Sequence, residues 1–301
     1  MKTTARYLIA LCLSAACSFS LLAQDATEEK PVDKPVKNPF ESTYLIDQQT
    51  VMLPNKGTLE MIIHHRFGVT GNGSSDLWGI YAPSNIRLGM NYSVHDRVQL
   101  QFGTTKFKKF QDLGYKVGII QQTRSGAIPV SVTWYGNVAV DARDEAVFGA
   151  DYEFSHRLSY FNQIIIARKF SESISVQVAP SFSHFNNTEV GYQNRYVGLS
   201  FAGRARISPQ TSIVFNYDTP IEIDGLLIKG AAGIDGTFEN TTLPKANIGL
   251  GVEISTSTHA FHIFVASGQG ILPQEIMVFN QNDFFDGGML FGFNLTRLWN
   301  W

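Results

Sequence analysis

The feature that most constrains this chain is a two-residue alternation that recurs from residue 58 to the C-terminal end. It is clearest at residues 245–268. Ile248, Leu250, Val252 and Ile254 alternate with Asn247, Gly249, Gly251, Glu253 and Ser255. After a polar turn at Thr256–Thr258, Phe261, Ile263 and Val265 alternate with Ala260, His262, Phe264 and Ala266. A period of two sends one residue set to each face of a pleated strand. Here one face is apolar and the other polar or small. A soluble sandwich turns its apolar face inward, whereas an outer-membrane barrel turns it outward to lipid and lines the lumen with the polar set.

The remaining segments decide between these two architectures. Alternation repeats at Leu59–Arg66, Ile86–Ser93, Val98–Gly103, Tyr115–Gln122, Val130–Asp141, Ile174–Ser183, Tyr196–Ile207, Ile213–Asp218 and Phe291–Thr296. Only Ser159–Phe170 is ambiguous, because Ile164-Ile165-Ile166 breaks the pattern. Segments of roughly 9–12 residues suit a tilted membrane crossing and exceed the roughly 5–6 of an average soluble strand. Short connections at 95–97, 125–127, 171–173, 208–210 and 256–258 alternate with long ones at 67–84, 107–114, 142–157, 186–194, 219–244 and 268–287. Short turns on one side and long loops on the other are the pattern of an outer-membrane barrel. Aromatic residues fall toward segment ends, with Tyr92, Phe170 and Trp299 on the short-turn side and Tyr115, Phe182 and Tyr217 on the long-loop side. That arrangement predicts two interfacial girdles. The expected fold is all-β, a transmembrane antiparallel up-and-down barrel of about twelve strands.

Composition agrees. Aromatic residues make up 12% of the 301 residues and charged residues 17%, with a formal net charge of −2. The near-neutral balance argues against a nucleic-acid partner. After the N-terminal region no segment offers the roughly 18 consecutive apolar residues of a spanning helix. Residues 1–23 have the form of a signal peptide, with Lys2 and Arg6 ahead of the apolar run from Tyr7 and a cleavage point at Ala23–Gln24. Ser14-Ala15-Ala16-Cys17 offers a lipoprotein box as the alternative. Both cysteines, Cys12 and Cys17, lie in this region, so the mature chain is expected to carry neither disulfide nor thiol chemistry. Residues 24–57 are expected to form a periplasmic linker or plug segment, and 58–301 the barrel. Within the former, Phe40–Leu53 is more apolar than Gln24–Pro39 and is compatible with a helix or strand under or inside the barrel, or with an extra wall strand.

Three stretches resemble a Gram-negative outer-membrane β-barrel family of unknown function: Ile63-His64-His65-Arg66-Phe67-Gly68, Asp76-Leu77-Trp78-Gly79 and Gly292-Phe293-Asn294-Leu295-Thr296-Arg297. The resemblance runs from about residue 40 to the end. It implies the barrel fold and an outer-membrane location, and it brings no activity, catalytic residue or cofactor. The last strand resembles the sorting signal read by the outer-membrane assembly machinery, which is thereby implied as a partner alongside lipid. The chain departs from the simplest form of that signal in placing Trp301 beyond Arg297.

On this register the polar face carries Glu60, Arg66, Arg87, Lys116, Asp141, Arg143, Arg204, Arg206, Asp218 and Glu253 as candidate lumen-lining residues. A charge cannot face hydrocarbon cheaply, so these side chains either neutralise one another inside or line a channel with a mild basic excess. Arginine at Leu250, Val252, Phe291 or Phe293 should be costly, whereas arginine at Gly249 or Asn294 should be accommodated on the polar face. The seven histidines give no metal-binding pattern, since His64-His65 and His259/His262 fall on opposite faces. Ser183-His184 likewise face opposite sides, which argues against a lipid-facing hydrolase. The expected function is therefore non-enzymatic, a narrow channel or binding barrel for a small polar solute. The rival is a plugged scaffold that holds a partner through its loops or N-terminal segment, and a lipid-facing hydrolase stands as the third alternative.

Overall fold

The computed structural model describes residues 33–189, 191–221 and 242–300. The signal peptide with its two cysteines, residues 24–32, most of the 219–244 connection and Trp301 lie outside the described residues. Among the described residues, no helix is long and apolar enough to cross a membrane.

Twelve antiparallel strands form a closed wall. In chain order they are β3 (Thr58–Val69), β4 (Asn85–His95), β5 (Val98–Thr105), β6 (Gln111–Ile120), β7 (Ser131–Val140), β8 (Leu158–Lys169), β9 (Ile174–Phe185), β10 (Arg195–Arg206), β11 (Thr211–Ile221), β12 (Asn247–Ser255), β13 (His259–Ala266) and β14 (Leu290–Asn300). Each strand pairs with its sequence neighbours, and β14 closes on β3 from Leu290 opposite Val69 to Asn300 opposite Thr58. Closure leaves no unpaired edge, which is what a sheet needs in hydrocarbon.

The alternation decides which way each side chain points. Leu250, Val252, Ile263 and Phe291 stand on the outer surface. Asn247, Glu253, His262 and Asn294, on the other parity of the same strands, are buried inside. The ambiguous segment is β8, with Ile164 and Ile166 outward and Ile165 fully buried inside. Its alternation fails because the lumen is apolar at that point, where the wall packs on protein rather than on water.

What it packs on is the stretch Phe40–Leu53. It forms neither a helix nor a wall strand. It is a small hairpin inside the barrel, β1 (Tyr44–Leu45) paired with β2 (Gln48–Gln49). Phe40, Leu45, Ile46 and Val51 are buried against Phe161, Ile165, Ala179, Val214, Phe264 and Leu290 of the wall. Ile46 opens the two-residue turn with φ 55°, a conformation that is strained for a β-branched residue. The barrel holds it there: Asn294 Nδ2 donates to the Ile46 carbonyl at 2.6 Å. Ahead of the hairpin, the chain is clamped to the β6–β7 turn, with Val36 N donating to Gln122 O at 2.8 Å and Arg124 N to Lys34 O at 2.9 Å.

A second element enters from the other end. Helix α1 (Pro273–Phe279) lies within the β13–β14 connection, with Gln274 through Val278 buried. Met277 joins the same apolar cluster as the hairpin. Two expectations change. The connection expected at 107–114 is shorter, because β6 already begins at Gln111. Tyr115 is not at the long-loop rim but in mid-strand, its ring edge-on to Trp134 at 5.2 Å.

The filled lumen also overturns the expectation that arginine fits at Gly249 or Asn294. A Cβ at Gly249 would come within 2.0 Å of Asn216 Oδ1 and 3.1 Å of Ile46 Cγ2, and Asn294 is held by both Ile46 and Arg66. Leu250→Arg should cost about 2–4 kcal/mol by facing lipid. Gly249→Ala should also destabilise measurably, whereas Leu250→Ala should change stability far less. Urea unfolding in lipid vesicles, read by heat-modifiable gel migration, checks this ordering.

Candidate functional site

The candidate site is the lumen itself, where the hairpin and the wall meet through charged side chains. At the hairpin tip, Arg66 Nη2 lies 2.5 Å from Asp47 Oδ1, both side chains fully buried. Arg66 Nη1 donates to Asn294 Oδ1 at 2.9 Å, and its guanidinium lies 4.4 Å from the centre of the Phe264 ring. The other Asp47 oxygen accepts from Asn247 Nδ2 at 2.9 Å. Asp218 accepts from Gln48 of the hairpin at 2.8 Å, Ser200 at 2.7 Å, Asn216 at 2.7 Å and Asn247 at 3.0 Å. A carboxylate surrounded by amides and a hydroxyl is solvated by protein in place of water.

Below the tip, toward the short turns, Glu60 accepts from Thr43 Oγ1 at 2.7 Å and Asn91 Nδ2 at 2.8 Å. Lys116 Nζ donates to the carbonyls of Thr43 at 3.1 Å and Met52 at 3.2 Å, so the two hairpin legs supply its acceptors. At the short-turn mouth, Arg204 joins Glu253 at 2.8 Å and Glu41 at 3.0 Å, and Arg206 reaches the same Glu41 carboxylate at 2.5 Å. Glu253 also pairs with His262 Nε2 at 3.0 Å. Toward the long loops, Arg87 forms a two-pronged pair with Asp112, at 2.9 and 2.6 Å. The wall makes room for it with Gly103, whose Cβ would meet Arg87 Nη2 at 2.2 Å. Asp141 and Arg143 sit at the long-loop rim, paired at 2.7 Å, with Arg143 partly exposed.

All ten candidate residues therefore lie inside the barrel or at its mouths, and they fall into separate layers rather than one continuous lining. Further carboxylates pair with these cations: Asp112, where the sequence predicts a loop, and Asp47 and Glu41, in a segment without a period. They offset the apparent basic excess. The signal for Asp112 was present, since the parity of Lys116 runs back through Gly114 to it. His184 faces outward beside Tyr160, and Ser183 is buried inside. Among the described residues, no three His, Cys, Asp or Glu side chains gather to hold a metal ion.

Between the two mouths little space is left. Cavities of about 290 Å³ and 310 Å³ open at the short-turn and long-loop ends. Among the described residues, a cavity of about 170 Å³ lies between Val51–Leu53 and β6–β7, and a void of about 10 Å³ lies between the hairpin and α1, room for about a single water.

A closed twelve-strand wall with an apolar belt and a polar interior is a transmembrane β-barrel of the outer membrane. Over residues 40–299 the chain matches the family described as "Membrane bound beta barrel domain (DUF5777)", and it belongs to that family. No curated protein matches it in sequence. Among solved structures it is similar to an outer membrane channel from Pseudomonas putida F1, with a TM-score of 0.50 and 12% identity over 82% of this chain and 97% of that one. It is also similar to the NanC porin, at TM-score 0.45 and 7% identity over 80% and 98%. A third similar structure is the outer membrane phospholipase A of Escherichia coli, at TM-score 0.41 and 10% identity over 82% and 91%. At such identities only the fold is shared.

Two outcomes follow from this geometry. Asp47→Ala should cost about 3–5 kcal/mol, because it leaves Arg66 buried without its counter-charge. The Asp47→Ala, Arg66→Met pair should recover a large part of that loss in urea unfolding. Glu275 of α1 lies in a connection outside the spanning strands, and burial pushes its carboxyl up from 4.5 to about 7. Between those values the folded protein keeps a proton that the unfolded chain releases, so stability should fall as pH rises from about 4.5 to 7 and level off above. Glu275→Gln should flatten that part of the profile, measured as the difference in unfolding midpoint between pH 5 and pH 7.5.

Proposed function

We propose that the protein is a plugged outer-membrane barrel, silent as a pore in this conformation, whose binding work is done at its two ends. The observation that carries this reading is the hairpin at residues 40–53, which fills the lumen and is sealed to the wall by apolar packing as well as by ion pairs. Burial of Phe40, Leu45, Ile46 and Val51 contributes about 1.5–3 kcal/mol each, or about 6–12 kcal/mol together. The domain plan that goes with it is a removed signal at 1–23, a tether up to the hairpin, and the barrel from 58.

A gated passage for a small polar solute is the second reading, and the polar wall behind the hairpin favours it. Withdrawal of residues 40–53 would strip Asp47 and Glu41 from Arg66, Arg204 and Arg206. The vacated lumen would then prefer anions weakly. Planar-bilayer recording separates the readings. Full-length protein should pass no steady current, and a variant lacking residues 40–53, once shown by heat-modifiable migration to fold, should conduct with a mild anion preference. Steady conductance by the full-length protein would overturn the plugged reading whatever the variant does.

A further inference from the structure

We propose that the long-loop mouth of the barrel is a binding site for a small aromatic carboxylate. The cavity of about 310 Å³ there is lined on its apolar side by Phe110, Phe185 and Phe279, the last residue of α1. Lys108, Arg143 and Arg157 also line it. Ligand pockets begin at about 300 Å³, a size that suits one ring carrying a short acidic arm.

The three cations are not equivalent. Arg143 is committed to Asp141, its Nε 3.0 Å from each carboxylate oxygen and its Nη2 2.7 Å from one of them. Lys108 lies 3.7 Å from the centre of the Phe279 ring and 3.4 Å from Glu189. That glutamate is 60% exposed, and ion pairs with an exposed partner are weak. Arg157 is the distinctive one, because the acceptors that hold it are neutral. Its Nε donates to the Tyr152 hydroxyl at 2.5 Å. Its Nη1 donates to the carbonyls of Asp141 at 2.8 Å and Arg143 at 2.6 Å. Its guanidinium lies 4.9 Å from the ring centres of both Phe148 and Tyr152.

A guanidinium fixed by carbonyls and ring faces keeps its full charge and has already lost its rotamer freedom. Those are the conditions under which arginine recognises a carboxylate well. The carboxylates of the lining are Asp141 and Glu189, against three cations. Glu275 lies close by, and burial pushes its carboxyl up to about 7, which weakens the negative charge it sets against the site. The ring of the ligand would lie against the phenylalanine face, where aromatic pairs add to plain burial. The site is outside the hairpin, so it stands whether or not the barrel ever opens.

Isothermal titration of the full-length protein in micelles tests this with three probes of one shape: phenylacetate, 2-phenylethanol and phenethylamine. Phenylacetate should bind about tenfold tighter or more than the alcohol, the worth of one charge-assisted contact, and the amine should bind least. Arg157→Gln should remove most of that advantage, narrowing the gap between acid and alcohol. Lys108→Gln, which disturbs no loop carbonyl, should reduce phenylacetate binding several-fold. Equal binding of acid and alcohol by the unaltered protein overturns the proposal, as does a lack of binding by all three. The comparison on the unaltered protein decides the matter even if Arg157→Gln fails to fold.

Discussion

Arg66 sits in the barrel wall with its side chain fully buried, and Asp47 at the tip of an internal hairpin meets its charge at 2.5 Å. The rest of the interior depends on that exchange. A membrane barrel must send its charged residues inward, and once the lumen is filled, water is no longer there to solvate them. The hairpin replaces water. Its carbonyls serve Lys116, its Thr43 hydroxyl serves Glu60, and its Gln48 serves Asp218. Breaking one such pair is costly because the partner stays buried. The interior therefore behaves as one cooperative unit, and the hairpin is part of the fold rather than an accessory laid inside it.

The wall was legible in the sequence because lipid imposes a rule that local patterning alone expresses. Leu250 and Val252 must be apolar whatever the neighbouring strands do, and Glu253 must point the other way. The contents of the lumen follow no such rule. Phe40–Leu53 has no period because its side chains answer to a surrounding wall, not to one face. Its turn carries Ile46 at a positive φ, where local turn chemistry calls for glycine. Nothing in the local sequence announces a hairpin held open by Asn294 on the last strand. Ile165, which spoils the alternation of β8, is the imprint on the wall of what the lumen contains.

The site was legible to a similar degree. The charges on the wall could be placed by parity, but their partners could not. Asp112 is masked in the sequence because the run Phe107-Lys108-Lys109-Phe110 reads as loop and hides the start of β6. Helix α1 is only seven residues long, too short for a helical period to show. Pro273 at its first turn and Glu275 two residues on were its one local signature. Arg157 gave no sign of itself, because its role comes from carbonyls and ring faces gathered by a loop.

The hairpin is tied at both ends. Behind it, only residues 54–57 separate Leu53 from the first wall residue, Thr58. Four residues span at most about 14 Å when fully extended. Ahead of it, Lys34 and Val36 are hydrogen-bonded to the β6–β7 turn. So short a leash keeps the hairpin close to the bore while β3 stays in the wall, and the clamp ahead of it adds a second anchor. The lumen is thus guarded by a mechanical sequence. A pull on the chain ahead of Lys34 would load the clamp first, then Glu41 with its two arginines, and Asp47 only after those had parted.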